Sequence, residues 1–167
     1  MNTTLRGRLS AMSPEALYRH FSTCFGLGFL TNMPGTVASA VAFLAYVVKP
    51  LPLWVVGAVF VFGVFVSGKY ADHQNREDPS EVVVDEVVGT WVAVAGLSPG
   101  LGLPALFLFR VFDIIKPFPV NVAEKLPKGV GIMADDVVAG LYANVIVRAV
   151  QWLFLAGGLA TLYERFF

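Results

Sequence analysis

The chain has 167 residues, 56% hydrophobic and 14% charged, and its twelve basic and twelve acidic side chains cancel to no net charge. A soluble globular domain carries about 25% charged residues, so this composition, with a mean hydropathy of +0.69, points to one domain in or on a membrane. No basic stripe is present, which excludes a nucleic-acid binder.

The single cysteine, Cys24, excludes an intrachain disulfide and a cysteine-rich zinc site, and two isolated histidines, His20 and His73, argue against a histidine metal site. Any metal here would be a hard cation such as magnesium or calcium, held by oxygen. The first 25 residues contain Arg6, Arg8 and Arg19 but no long apolar run, so a cleaved secretory signal is not expected.

In chain order, Ser13-Pro14-Glu15 predicts a helix start, with Ser13 as N-cap. Leu17, Phe21 and Phe25, four apart, make the following segment amphipathic, either packed on the body or lying at a membrane surface. Residues 1–24 are read as an N-terminal segment and 25–167 as one helical domain. Pro34-Gly35-Thr36 opens TVASAVAFLAYVV (36–48), a predicted helix. Its N-terminus, with Gly35 and the hydroxyls of Thr36 and Ser39, has the makings of an anion site, or of ordinary capping and close helix packing. Lys49-Pro50-Leu51-Pro52 is a turn, and 53–67 is an uncharged helix, either a buried core helix or part of an antiparallel membrane pair. The polar stretch 69–81 is expected on the surface.

VVVDEVVG (82–89) sets Asp85 and Glu86 in an apolar run read as helix, because the flanks lack period-two alternation. From Val87 to Phe109 there is no charge, and Ser98-Pro99-Gly100 splits the run into two pieces too short to cross a bilayer. A hairpin returning to its own side would bring Asp85 and Glu86 level with Asp113 in FRVFDIIKPFP (109–119). Pro127 and 128–131 read as a flexible patch, and GIMADDVVAG (131–140) carries Asp135 and Asp136. Residues 137–163 form one long apolar helix or two, with Arg148 and Gly157-Gly158 as points of interruption. The architecture expected is all-α: a compact helical bundle, membrane-embedded or membrane-associated, with short interrupted apolar helices. Arg6, Arg8, Arg19, Lys69, Arg76, Lys116, Lys125 and Lys128 would lie on the cytoplasmic side and only Lys49 on the other.

Five carboxylates in apolar settings need compensation. An aspartate at the middle of a membrane helix costs about 2.5–3.5 kcal/mol on translocon scales. Gathered around a divalent cation, with Arg110 and Lys116 beside them, they would suit phosphoryl chemistry on an anionic ligand. Structural pairing with Arg110, Lys116 and Arg148 is the plain alternative, although three bases cannot neutralise five acids. An ion pathway is another, less suited to acids at segment ends.

The order PGT (34–36), VDEVVG (84–89), FRVFDIIKPFP and GIMADDVVAG resembles the phosphatidylglycerophosphatase A family over about Phe25 to Asn144. The resemblance implies a helical, magnesium-dependent lipid phosphatase of the bacterial inner membrane, with its site on the cytoplasmic side. It would convert phosphatidylglycerophosphate to phosphatidylglycerol and inorganic phosphate. The family's acidic motifs fall on Asp85, Glu86, Asp113, Asp135 and Asp136, its KP step on Lys116-Pro117, and its PGT turn on Pro34-Gly35-Thr36. Asp85, Asp113 and Asp136 are then expected to bind metal and Glu86 to act as base, itself a further metal contact. Asp135 would be a ligand or an acceptor behind the ligands, and Lys116, Arg110, Gly35 and Thr36 would hold phosphate. Water attack is favoured, with Asp113 as nucleophile the other route. Thr31-Asn32-Met33 departs from a Ser-Pro-Lys-like sequence common at that place, leaving less positive charge near the phosphate. Another lipid phosphate such as phosphatidic acid, an ion-conducting protein and a helical scaffold are the alternative functions, and a homo-oligomer is left open.

Overall fold

Local chemistry sets the helix ends. In this computed structural model, which describes residues 13–166 and side chains as far as Leu155, Ser13 Oγ accepts the Ala16 N–H at 3.3 Å and opens α1 (Pro14–Ser22). Pro34 likewise opens α2 (Pro34–Val48), and the Pro50–Pro52 turn separates it from α3 (Leu53–Gln74). There follow α4 (Val84–Val94), α5 (Gly102–Ile115), the single turn α6 (Val120–Ala123) and α7 (Gly129–Phe166). Two short 3-10 turns, Leu27–Phe29 and Pro99–Leu101, complete the regular structure, and no strand occurs among the described residues. The fold is all-α, as the sequence leads one to expect; Arg6 and Arg8 lie outside the described residues.

Three features differ from the sequence reading. Helix α3 continues past Ser67 through the polar residues, because Tyr70 and Ala71 face inward while Lys69, Asp72 and His73 stay exposed. It stops at Asn75, whose left-handed φ of 52° lets its N–H cap the carbonyls of Ala71 and Asp72. Helix α7 starts at Gly129 rather than after a flexible patch. Gly129 is not a hinge but a contact: a Cβ there would strike the carbonyl of Val64, so glycine lets α7 press on α3. Finally, α7 runs unbroken through Arg148 and Gly157-Gly158.

The α4–α5 hairpin forms as expected, and α7 packs most extensively against α4. Val82, Val84 and Val88, the apolar flank of the acidic pair, pack with Val56 of α3 and with Ile132 and Met133 of α7. The α4–α7 seam is parallel. A Cβ on Gly89 would come within 2.9 Å of the Asp136 carbonyl, and one on Gly140 would meet the Gly89 carbonyl. Further along, Asn144 Nδ2 donates to the carbonyls of Ala93 (2.9 Å) and Ala95 (3.0 Å) at the end of α4. Arg148 completes the stripe, donating from Nη2 to Ala95 (2.8 Å) and from Nε to Asn144 Oδ1 (2.7 Å). Positions 136, 140, 144 and 148 recur every four residues and so form one face of α7. Trp91 Nε1 donates to the Ala42 carbonyl at 3.1 Å and ties α2 to α4. The Val83 N–H donates to the Ser22 carbonyl at 2.9 Å and ties the end of α1 to the start of α4.

Among the described residues two helices, Leu53–Gln74 and the Gly129–Leu155 part of α7, are long and apolar enough to cross a membrane. Trp54, Val61 and Phe65 of α3 and Trp152 and Phe154 of α7 project outward, each more than half exposed.

The seam makes a prediction. Gly140→Ala should destabilise the fold by about 1–3 kcal/mol through overpacking, seen as a lower Tm in detergent. Gly57→Ala, where a Cβ meets nothing within 4 Å, should leave Tm unchanged or raise it.

Candidate metal and phosphate site

The starts of α2, α4 and α7 and the end of α5 meet at one end of the seam. Asp85 and Glu86 occupy the first turn of α4, where the helix dipole favours negative charge, and Asp85 Oδ1 accepts the Glu86 N–H at 3.0 Å. The last turns of α5 supply Arg110 and Asp113, with Arg110 Nη1 at 2.9 Å from Asp113 Oδ2 and 3.8 Å from Glu86 Oε1. Lys116 caps α5 in a left-handed conformation (φ 49°), which turns its side chain toward α7. Its Nζ donates at 2.7 Å to both Asp135 Oδ2 and Glu124 Oε1. Asp135 and Asp136 lie in the second turn of α7 and are 6% and 3% exposed. Gly35 faces the cluster from α2: a Cβ there would collide with the Glu86 carboxylate and stand 3.2 Å from Arg110 Nη1.

All five predicted acids, both predicted bases and Gly35 therefore come together. Thr36 is exposed and makes no hydrogen bond to any of the acids. Arg148, a candidate partner for the acids in the sequence, serves the far end of α4 instead. Glu124 was not anticipated; it joins Lys116 only because the Pro117–Pro119 turn folds the chain back, and nothing in its sequence setting marks it. Asn144 is a second addition, signalled only by its place two turns beyond Asp136 on an apolar helix.

The donor set suits a hard cation. Carboxylate oxygens of Asp85, Glu86 and Asp136 lie within 4.8 Å of one another, as do those of Asp113, Asp135 and Asp136. Glu86 Oε2, Asp135 Oδ1 and Asp136 Oδ2 are buried without a hydrogen-bond partner. Orphaned, buried, negatively charged oxygens are unfavourable unless a cation completes them. A cavity of 690 Å³ borders this cluster at Asp135 and carries Arg76, Lys125 and Lys128 on its walls.

Burial and then the charge of Glu86 push the Asp85 carboxyl well above the usual carboxylate range. Burial also raises Glu86, opposed by its contacts with Asp85 and Arg110. For Lys116, burial works against the ammonium, but the hydrogen bonds to Asp135 and Glu124 outweigh it and hold the charge above its ordinary range. Cys24, just after α1, has its thiol pushed up to about 12 by burial, with the charges of Asp85 and Glu86 adding to the effect.

The phosphatidylglycerophosphatase A family model matches residues 20–151. The chain belongs to that family. The phosphatidylglycerophosphatase A of Haemophilus influenzae is 36% identical over 159 residues, covering 89% of this chain and 95% of the relative. That of Escherichia coli is 31% identical over 152 residues, covering 85% and 86%. A Bacteroides thetaiotaomicron protein named putative phosphatidylinositol-3-phosphatase is 36% identical over 155 residues, covering 84% and 97%. No solved structure gives a significant match. The phosphatidylglycerophosphatase A match contains every acid of the cluster and the whole stripe from Asp136 to Arg148.

Cys24 reports on the acids. A thiol raised from 9.0 to about 12 has about a thousandfold less thiolate at pH 8. A more basic thiolate is also more nucleophilic, so iodoacetamide should modify the folded, metal-free chain at least about tenfold more slowly than the urea-unfolded chain. Removing negative charge lowers a thiol pKa, so the Asp85→Asn/Glu86→Gln double variant should react faster than wild type; an equal rate would show that the acids do not act on Cys24.

Proposed function

We propose that this chain is a magnesium-dependent phosphatase acting at a membrane. It would remove the terminal phosphomonoester of phosphatidylglycerophosphate, giving phosphatidylglycerol and inorganic phosphate in phospholipid biosynthesis. The observation that carries this reading is the buried Asp136, which belongs to both acidic sets and keeps one oxygen without a donor, in a chain of this family.

Asp136 would hold the cation together with Asp85 or with Asp113, which belong to the two sets that it joins, and Asp135 would be a further ligand or the acceptor that fixes Lys116. Bound magnesium supplies positive charge against the phosphoryl oxygens and makes water a better nucleophile. Glu86 orients the attacking water and takes its proton. Its carboxylate lies beside Asp85 and Arg110 at the first turn of α4, within reach of the same pocket. Arg110 sits between Glu86 and Asp113, beside the α2 start, where helix N–H groups near Gly35 and Thr36 favour an anion. Lys116 has three N–H donors, two of them engaged by Asp135 and Glu124, which leaves one for a phosphate oxygen. The water oxygen attacks phosphorus, the phosphorus–glycerol oxygen bond breaks, and the proton given up by water balances the one the glycerol oxygen gains. Neither acidic set contains a cysteine or histidine, so a covalent route would fall to an aspartate such as Asp113.

Placement in the bacterial inner membrane with the site toward the cytoplasm is supported by charge. Lys116, Lys125, Lys128 and Arg76 surround the site or the cavity beside it, whereas Lys49 lies at the opposite end of α2 from Gly35. Exposed Phe25, Phe29, Leu30 and Met33, in the chain leading into α2, give the site an apolar rim suited to a lipid surface. The name of the Bacteroides relative favours a second reading, the same chemistry on another lipid phosphate.

The test is phosphate release by detergent-purified protein, with magnesium or with EDTA. Phosphatidylglycerophosphate, phosphatidic acid, phosphatidylinositol 3-phosphate and glycerol 3-phosphate would be compared. Magnesium-dependent release from the first is expected; preference for another lipid moves the substrate, and release from none overturns the reading. Asp85→Asn, Glu86→Gln, Asp113→Asn and Asp136→Asn should each lower kcat by about 10²–10⁴-fold with helical circular dichroism unchanged.

A further inference from the structure

We propose that the site holds two divalent cations, with the Asp136 carboxylate bridging them; this deepens the phosphatase reading and rests on its metal-dependent centre. The acidic residues form two sets rather than one. Asp85 and Glu86 of α4 meet Asp136, and Asp113 of α5 and Asp135 of α7 meet it as a second set. Asp136 is the one residue common to both. Each set draws on two helices, so each is a separate niche with its own wall.

The orphaned oxygens are divided the same way. Glu86 of the first set, Asp135 of the second and Asp136 of both each keep one carboxylate oxygen (Oε2, Oδ1 and Oδ2) buried with no donor. A single magnesium ion binds oxygens at about 2.0–2.1 Å in an octahedron, so oxygens on opposite sides of it stand only about 4.2 Å apart. The five acids do not gather into one group of that reach, so an ion whose ligands span about 4.2 Å does not serve both outer pairs. Two ions about 3.5–4 Å apart, as in other two-metal phosphoryl-transfer sites, match two niches sharing one carboxylate.

Charge leads to the same count. With Glu124 included, six carboxylates face two basic side chains, Arg110 and Lys116. One divalent ion would leave a net negative pocket facing a phosphomonoester that is itself an anion. A second ion removes the deficit before the substrate arrives.

The experiment is manganese binding to the full chain in detergent, followed by equilibrium dialysis and electron paramagnetic resonance. Two manganese ions per chain, with the spectrum of an exchange-coupled pair at saturation, are expected. Asp85→Asn and Asp135→Asn should each leave one ion per chain and abolish the coupled signal, while Asp136→Asn should weaken both sites by at least about tenfold. Wild-type protein that saturates at one ion overturns the two-ion inference. If that protein still releases phosphate with magnesium, the phosphatase reading stands without it; if it neither binds manganese nor releases phosphate, both fall. The wild-type stoichiometry decides the matter even where a variant fails to fold.

Discussion

The parallel contact between α4 and α7 is the constraint on which the site depends. Both helices start at the same end of the molecule, so the first turn of α4 lies beside the second turn of α7 and the acidic pairs they carry are forced together. The approach is close because Gly89 and Gly140 meet where neither helix has room for a side chain. Were either position larger, the helices would separate and the two pairs of carboxylates would part with them. The valines around Asp85 and Glu86 do the complementary work: Val84 and Val88 fill the core toward α3 and α7 and leave the acids facing the cluster.

Electrostatics makes this arrangement unfavourable on its own. Arg110 and Lys116 are each divided between two carboxylates, so neither neutralises its surroundings, and three oxygens are left buried without a donor. Stability is sacrificed at this end of the molecule, while the hydrophobic contacts of α3, α4 and α7 hold it in place. Such a combination of unbalanced charge and firm scaffold is what residues that could hold a metal ion show.

Much of this was legible in the sequence because the acids interrupt apolar runs, and an interruption of that kind is conspicuous. The hairpin at Ser98-Pro99-Gly100, the helix start at Pro34 and the convergence of Asp85, Glu86, Asp113, Asp135 and Asp136 could all be read from turn residues and polarity. The start of α7 could not. Gly129 and Gly131 look like flexibility in a sequence, and only the carbonyl of Val64 lying against α7 reveals Gly129 as a contact. Arg148 was misjudged for a related reason: its charge suggested a partner among the acids, but its distance along α7 commits it to the other end of α4. Glu124 was invisible because its partner is set by the path of the Pro117–Pro119 turn, which sequence spacing does not encode.

The donors that Asn144 and Arg148 direct at the end of α4 bear on how short that helix can be. At eleven residues it rises only about 16 Å, roughly half of a ~30 Å hydrocarbon layer. A helix halted at that depth presents its last carbonyls to lipid, where no water can satisfy them. Side chains from the longer neighbour take the place of that water. A helix of this length, closed at its far end by a neighbour's side chains, does not need to traverse an apolar layer in order to end within one.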